Sequence, residues 1–161
     1  MQGGVYTLQW DKDFLHFGIY EQNGYITRIE YNPNPLALAE SQKTPLSNEC
    51  ANELQGYFAG ELCSFNVPIL PQGSAFELRV WRALCEIPYG EVKSYKDIAK
   101  AINAPRASRA VGNANHHNPL MILIPCHRVV HSNGTLGGYA LGLEFKAKLL
   151  GLEQRFATKR R

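Results

Sequence analysis

The sequence lacks any apolar run of the roughly 20 residues that a membrane-spanning helix needs. Residues 1–20 contain no long apolar stretch, and Asp11 and Asp13 interrupt them. We therefore expect no signal peptide, no membrane partner and a cytoplasmic location, or a nuclear one if the source is eukaryotic. A chain of 161 residues suggests one domain, or one domain with a small companion.

Closely spaced cysteines are also absent. Cys50, Cys63, Cys85 and Cys126 lie far apart, and no C-x-x-C pair occurs, which argues against a zinc knuckle and a thioredoxin-type redox motif. We interpret all four as free thiols. In the N-terminal region His16, Cys50 and Cys63 are the available soft ligands, in no recognisable spacing, so we expect no metal and no cofactor.

Acidic side chains are scarce in the second half of the chain. Residues 1–73 carry three basic and eight acidic side chains, a net charge of −5, whereas residues 74–161 carry fourteen and six, a net charge of +8. This asymmetry suggests that the C-terminal half meets a polyanion. A solvated face without a partner would show the same charge, and charge alone does not separate the two.

The N-terminal pattern is that of antiparallel strands followed by a helix. Residues 5–31 are rich in aromatic and β-branched side chains, and Asn23-Gly24 is a strong hairpin signal. Residues 47–59 read as a helix, with Ser47 as its N-cap.

Residues 67–73 are rich in proline and glycine and read as a linker at the charge boundary. We therefore predict an α+β fold, with a small N-terminal α/β domain of structural role over 1–70. A mainly helical, winged-helix-like C-terminal domain follows over 71–161. Its final helix should run from about residue 143 to residue 153, with a frayed tail.

Three helix starts are predicted in the C-terminal half. Ser74 with Glu77, and Ser94 with Asp97, have the spacing of capping boxes. Pro105 lies where the first turn of a third helix would tolerate proline.

The third helix has two different faces and, with the helix before it, suggests a helix-turn-helix. Gly112 lies between the faces, where a side chain would hold a partner away. Any surface helix also has one polar face, so the pattern by itself does not distinguish a DNA-binding helix from an ordinary surface helix. The small face comprises Ala107, Ala110, Val111 and Ala114, and the polar stripe comprises Arg106, Arg109, Asn113 and His116.

The segment Ile124-Pro125-Cys126-His127-Arg128-Val129 is the clearest chemical signal. Proline should end the preceding apolar run and place the thiol at a tight turn. A thiolate is the nucleophilic form of cysteine, and a nearby imidazole is the usual means of generating it. A buried structural cysteine beside a surface His-Arg pair is the competing interpretation.

Residues 74–154 closely resemble the O6-alkylguanine-DNA alkyltransferase family. The cysteine segment alone is specific, and its ordered companions make a chance match implausible. Residues 1–73 match only in general character. The resemblance is carried by Phe76-x-x-x-Val80-Trp81, Ile87-Pro88-Tyr89-Gly90, Ser94-Tyr95-x-x-Ile98-Ala99, Arg109-Ala110-Val111-Gly112, Asn118-Pro119, Ile124 to Val129, Gly138-Tyr139 and Leu149-Leu150-x-x-Glu153.

The resemblance implies direct-reversal repair of double-stranded DNA that contains O6-alkylguanine. The alkyl group, also that of O4-alkylthymine, would pass to Cys126 in a single turnover after the base is flipped from the minor-groove side. Arg109 would fill the vacated stack, and Tyr95 would crowd the adjacent phosphate and donate a hydrogen bond to the base. An ordinary phosphate contact by Arg109 and a packing role for Tyr95 are the alternatives.

The resemblance also assigns supporting roles around the cysteine. Asn118 would organise the preceding turn, His127 would reach the thiol through a water, and Glu153 would orient the imidazole. We expect this arrangement to raise the thiolate fraction of Cys126. The further DNA contacts implied are Arg106, Ala110, Gly112, Asn113 and Arg128, and the implied substrate pocket comprises Met121, Val129, Tyr139 and Ala140.

Some positions depart from many relatives, and two other functions remain open. Histidines occupy positions 116 and 117, where many relatives carry glycine or arginine, and Ala140 stands where some carry serine. We expect the first difference to bear on DNA affinity and the second on the tolerance of bulky alkyl groups. One of the two open functions is a non-catalytic module that binds alkylguanine DNA, but relatives of that type have another residue in place of the cysteine, and Cys126 is present here. A cysteine hydrolase would have no use for the basic helix. We expect the chain to be a monomer.

Overall fold

The computed structural model describes residues 2–34 and 43–160. The chain divides into two compact units, Met1–Gln72 and Gly73–Arg161. The boundary predicted at residue 70 lies two residues before this division. Residues 35–42 and Arg161 lie outside the described residues.

The N-terminal unit is an antiparallel sheet with one helix. Its strands are β1 (Gln2–Trp10), β2 (Asp13–Gln22) and β3 (Tyr25–Tyr31), in the order β1-β2-β3. The predicted hairpin at Asn23-Gly24 is confirmed, because both residues have positive φ and Gln22 pairs with Tyr25.

Helix α1 spans Pro45–Phe58 and begins earlier than predicted. Thr44 is its N-cap, and Ser47 is instead the third helical residue, which hydrogen-bonds back to the Thr44 backbone to complete a capping box. Phe58 packs its ring on Trp10 and Phe17, so aromatic contacts join the helix to the sheet.

The prediction that residues 67–73 are only a linker is wrong in part. The Ile26 amide donates to the Pro68 carbonyl at 2.8 Å, and the Leu70 amide donates to the Ile26 carbonyl at 2.9 Å. Ile26 and Ile69 thereby form a parallel bridge, which extends the sheet beyond β3. Pairing with a residue more than 40 positions away leaves no local pattern in the sequence.

The C-terminal unit begins with two short capped helices. Helix α2 (Ala75–Leu84) and helix α3 (Tyr95–Ala101) both have the predicted capping boxes, at Ser74 and Ser94. Directly before α3, strand β4 (Lys93–Ser94) pairs in parallel with strand β5 (Val129–Val130). This short pairing ties the start of α3 to the segment after Cys126.

Helix α4 spans Ser108–His116 and starts later than predicted. Pro105 and Arg106 lie in the connection before it, and Ala107 is the N-cap residue, without a side-chain cap. Val111 and Ala114 are buried, and the Trp81 indole donates to the Ala114 carbonyl at 2.8 Å, which anchors α4 to α2. The helix-turn-helix remains a prediction.

The apolar segment before Cys126 is a turn. Ile122 has φ of 72°, which is rare and strained for a β-branched residue, and Met121 and Ile124 form a bridge around it. Cys126–Arg128 then form one 3-10 turn. Helix α5 spans Leu143–Arg160, so the tail predicted to be frayed is helical as far as Arg160.

Within residues 2–34 and 43–160, none of the helices has the length and apolar character to cross a bilayer. The described residues also hold no cluster of three or more potential metal ligands. The four cysteines are free thiols.

Candidate active site

Cys126 lies at a cavity of about 510 Å³ in the C-terminal unit, which we call the Cys126 cavity. Side chains from α3, α4, the 3-10 turn and the loop before α5 form its walls. The basic side chains among the described lining residues are Arg109, His116 and His131, and none of these lining residues is a carboxylate. The lining comprises Tyr95, Ser108, Arg109, Gly112, Asn113, Asn115, His116, Cys126, His131, Gly138, Tyr139 and Ala140.

Asn118 holds the turn that presents Cys126. Its side-chain carbonyl accepts from the Leu120 amide at 2.9 Å, and its Nδ2 donates to the Ile124 carbonyl at 2.8 Å. The same Nδ2 lies 3.3 Å from Cys126 Sγ and donates to it. One amide side chain therefore closes the strained turn and supplies a hydrogen bond to the sulfur.

The surroundings of Cys126 do not produce the raised thiolate fraction that we expect from the sequence. Burial raises the pKa of the Cys126 thiol, and the Asn118 hydrogen bond and the Lys146 charge offset this only in part. His127 has no such lowering effect on the sulfur here, because burial keeps its own pKa below the usual value and the ring neutral. The raised pKa of Cys126 and the lowered pKa of His127 make the pair a neutral thiol and a neutral imidazole.

His127 and Glu153 form a buried pair beside the cysteine. His127 Nε2 lies 2.6 Å from Glu153 Oε2, and both side chains are almost completely excluded from solvent. Burial opposes ionisation of Glu153, but His127 and Arg128 outweigh it and lower its pKa from 4.5 to about 2. A charged Glu153 accepts a hydrogen bond from the Nε2–H group of His127, so Nδ1 carries the lone pair of the neutral ring.

Arg128 faces the interior, which corrects its predicted role in DNA binding. Its Nε donates to Glu153 Oε1 at 2.8 Å and its Nη2 donates to Glu153 Oε2 at 3.1 Å. Its Nη1 donates to the Ile87 carbonyl at 2.7 Å. Glu153 Oε1 also accepts from the Gly90 amide at 3.1 Å. Arg128 donates from all three of its guanidinium nitrogens and is only 7% exposed, so it is not available to a phosphate.

Tyr95 forms one wall of the cavity and is held against a glycine. A Cβ on Gly137, whose φ is 73°, would lie 2.5 Å from Tyr95 Oη. The His131 ring packs on the Tyr95 ring with centroids 5.1 Å apart. Burial raises the pKa of Tyr95, as would a negative charge on Cys126, so its hydroxyl stays protonated and can donate.

Lys146 is a site residue that the sequence analysis missed. Its buried ammonium donates to the carbonyls of Val129, Leu136 and Gly138 at 2.6, 2.5 and 3.2 Å. Burial lowers its pKa to about 8, and its charge in turn lowers the pKa of Cys126. Lys146 lies three residues before the buried Leu149 and therefore on the same face of α5. This spacing was the signal in the sequence, because a lysine is rarely buried unless it has hydrogen-bond or charge partners.

Comparison with known proteins places this chain in a family. Residues 75–155 match the family model described as 6-O-methylguanine DNA methyltransferase, DNA binding domain. A methylated-DNA–protein-cysteine methyltransferase of Mycolicibacterium paratuberculosis is 48% identical over 94% of this chain and 87% of its own length.

The chain belongs to the methylated-DNA–protein-cysteine methyltransferase family. A Methanosarcina barkeri protein of the same name is 56% identical over 66% of this chain and 67% of its own. Two Mycobacterium tuberculosis crystal structures both have a TM-score of 0.79. The O6-methylguanine methyltransferase is 37% identical and covers 96% of this chain and 94% of its own. OGT in complex with DNA is 39% identical and covers 88% of each chain.

Besides Tyr95, five of the residues predicted to contact DNA or the substrate line the Cys126 cavity. Arg109, Asn113, Tyr139 and Ala140 line the Cys126 cavity, as does Gly112. A Cβ on Gly112 would make an ordinary contact of 3.7 Å with the Tyr95 ring, so the helix packing does not require glycine there.

Four residues predicted to line the substrate pocket or to contact DNA from α4 lie in surroundings other than those we expected. Met121 and Val129 do not line the cavity, because Met121 bridges Ile124 and fully buried Val129 pairs with β4. Ala110 is exposed and does not belong to the buried face of α4. Arg106 is exposed but precedes α4, so it does not share a helical stripe with Arg109.

Proposed function

We propose that this chain repairs DNA by direct reversal, transferring a methyl or other alkyl group from O6 of guanine to Cys126. The supporting observation is that Cys126 lines a cavity that is also lined by residues of α4, among them the exposed Arg109 and His116. A base flipped out of a duplex needs such a cavity beside a DNA-binding element. The net charge of +8 over residues 74–161 favours the same partner.

The proposed chemistry follows from the buried side chains. As Sγ attacks the alkyl carbon, the carbon–O6 bond breaks and its electrons move onto the purine. The thiol proton passes, through a water, to Nδ1 of His127, and Glu153 stabilises the resulting imidazolium. Tyr95 donates a hydrogen bond to the departing purine, which makes guanine a better leaving group. The proton balance closes when guanine takes up one proton and His127 releases one.

We further propose that each molecule acts once, as a monomer, and also accepts O4-alkylthymine. The product is a thioether on Cys126, which is not a leaving group under these conditions. A direct test mixes the protein with excess O6-methylguanine duplex and counts the methyl groups transferred. A plateau at one methyl per chain supports the proposal, whereas continued turnover contradicts single use. An O4-methylthymine duplex tests the second substrate in the same assay.

The cysteine hydrolase is the alternative that this assay separates. A hydrolase would release product from a chromogenic ester repeatedly and leave methylated DNA unchanged. A protein that acts on chromosomal DNA would work in the bacterial or archaeal cytoplasm, or in the nucleus of a eukaryote.

A further inference from the structure

The loop between β5 and α5 contains an Asn-Gly pair in an exposed turn. Asn133 and Gly134 are both exposed. The Gly134 amide donates to the His131 carbonyl, and the His131 amide donates to the Thr135 carbonyl, both at 2.9 Å, and these two bonds close the turn. Gly134 has φ of 87°, and a Cβ built on it would meet nothing within 4 Å. Packing therefore does not shield the backbone nitrogen that follows the Asn133 side chain.

An asparagine that is followed by glycine can react with its own main chain. The Gly134 nitrogen attacks Cγ of Asn133, the new C–N bond closes a five-membered succinimide ring, and the bond from Cγ to the side-chain nitrogen breaks. That nitrogen leaves as ammonia, with the proton that the Gly134 amide gives up. Water then opens the ring and leaves an aspartate or an isoaspartate. Glycine favours this reaction because it has no side chain to obstruct the ring.

The hydrogen bonds to the Asn133 side chain assist the attack. Thr135 donates to Asn133 Oδ1 from its amide at 3.1 Å and from its hydroxyl at 2.7 Å. When the nitrogen attacks Cγ, negative charge develops on Oδ1, and two donors already directed at that oxygen stabilise it. The bond from the Gly134 amide to the His131 carbonyl has to open first, and a short turn at the surface opens at little cost.

The sequence has one other Asn-Gly pair, which is held differently. Asn23 and Gly24 are also exposed, but they form the turn between β2 and β3, where Gln22 pairs with Tyr25. Strand pairing next to the turn holds the backbone and opposes the rotation that ring closure needs. Asn23 therefore provides an internal comparison, with the same local sequence and less freedom to react.

We propose that Asn133 is a site of spontaneous deamidation, at which the chain acquires a negative charge close to its candidate active site. The turn is joined to that site because the His131 ring packs on the Tyr95 ring, and both residues line the Cys126 cavity.

The new carboxylate would change the charge of a surface cleft. Repulsion between this carboxylate and phosphates weakens the binding of DNA, a consequence that rests on the proposed function, whereas the modification itself does not. None of the described residues that line the cleft is acidic, and they comprise Lys96, His131, Ser132, Asn133 and Thr135.

The modification is tested without DNA. The wild type is incubated in mildly alkaline buffer, and peptide mapping by mass measures the replacement of the amide nitrogen by oxygen at each asparagine. We expect Asn133 to react about tenfold faster than Asn23, because its turn opens more easily and its oxygen has two donors. Thr135→Val, which keeps the shape but lacks the hydroxyl, should slow the reaction at Asn133 about fivefold and leave Asn23 unchanged.

Asn133→Gln is the control at the same position. Its longer side chain would have to close a six-membered ring, so position 133 should show no replacement on the same timescale. An Asn133 that stays intact while Asn23 reacts would overturn the proposal. Equal rates at the two asparagines would contradict the role of the turn, and an unchanged rate in Thr135→Val would contradict the role of the hydroxyl.

The consequence for DNA is tested with Asn133→Asp, which carries the charge of the product. We expect it to bind duplex DNA about fivefold more weakly than the wild type at low salt, with a smaller difference at high salt. Asn23→Asp makes the same change of charge in the N-terminal unit and should bind like the wild type. Equal affinity of Asn133→Asp and the wild type would overturn this consequence. A wild type that binds no DNA would instead refute the proposed function and leave the measured deamidation standing.

Discussion

Glu153 is a buried carboxylate whose charge is stabilised by several hydrogen bonds. It accepts hydrogen bonds from His127, Arg128 and Gly90, and so joins α5 to two turns. Removing its charge would leave the buried Arg128 without its counterion, which is more costly than losing a surface pair. We therefore assign Glu153 to the stability of the C-terminal unit as well as to the orientation of His127.

Glu153→Gln tests this assignment. The pKa of Glu153 is about 2 in the folded protein, below its value of 4.5 in an unfolded chain, so protons bind the unfolded chain first and favour unfolding. The wild type should lose about 3 kcal/mol of stability as the pH falls from 4.5 towards 2, and the variant should lack this loss. Urea denaturation across that range measures it, with Glu144→Gln, exposed on the same helix, as control.

The same variant should also slow alkyl transfer while DNA affinity stays nearly unchanged. If Glu153→Gln transferred the alkyl group at the wild-type rate across pH 6–9, Glu153 would have no part in the transfer.

Lys146 is the second residue whose role can be measured. Lys146→Met removes a positive charge that lowers the pKa of Cys126 and leaves the Val129, Leu136 and Gly138 carbonyls without their donor. We expect transfer to slow by about tenfold and the pH–rate profile to move to higher pH. Lys148→Met, exposed on the same helix, should change neither. An unshifted profile would show that Lys146 acts on the fold alone.

At the scale of elements, the loop before α5 fixes Tyr95. Gly137→Ala would place a Cβ 2.5 Å from the Tyr95 hydroxyl and in a backbone conformation that disfavours alanine, so the ring must move. A Cβ on Gly138 meets nothing within 4 Å. We expect Gly137→Ala to slow transfer from the duplex far more than Gly138→Ala. Equal rates for the two variants would contradict the proposed positioning of Tyr95.

The start of α4 separates two arginines that the sequence placed in one stripe. Arg109 lines the Cys126 cavity, so Arg109→Ala should impair transfer most on a well-paired duplex and least on free O6-alkylguanine base, which needs no extrusion. Arg106→Ala should instead reduce the salt dependence of DNA affinity, by about 0.9 in the log–log slope if one phosphate contact is lost. Equal impairment of Arg109→Ala on duplex and free base would contradict its role in flipping.

Across the whole molecule, the features that could be predicted from the sequence are those that depend on residues close together in the chain. The hairpin at Asn23-Gly24 and the capping boxes at Ser74 and Ser94 depend on neighbours within three residues, and the structure contains them. The approach of Glu153 to His127 was available only through the family resemblance, because the two lie 26 positions apart.

The features that the sequence analysis predicted wrongly or missed depend on contacts between residues that are distant in the sequence. Arg128 reads as a surface cation until Glu153 and Ile87 surround it, and Lys146 reads as part of a polar helix face until three carbonyls converge on it. The strand-like pairing of Ile69 with Ile26 is equally invisible in local sequence. Contacts between residues distant in the sequence determine the Arg128 and Ile69 features, and for Lys146 the helical spacing with Leu149 was the one signal in the sequence.

The central claim is that Cys126 receives the alkyl group. The most direct measurement is the intact mass of the protein after mixing with O6-methylguanine duplex, followed by peptide mapping. The account predicts that one hydrogen is replaced by one methyl group, on the peptide containing Cys126, and that Cys126→Ser gains no mass but still binds the duplex. Transfer to Cys126→Ser, or a methyl group on Cys50, Cys63 or Cys85 of the wild type, would contradict it.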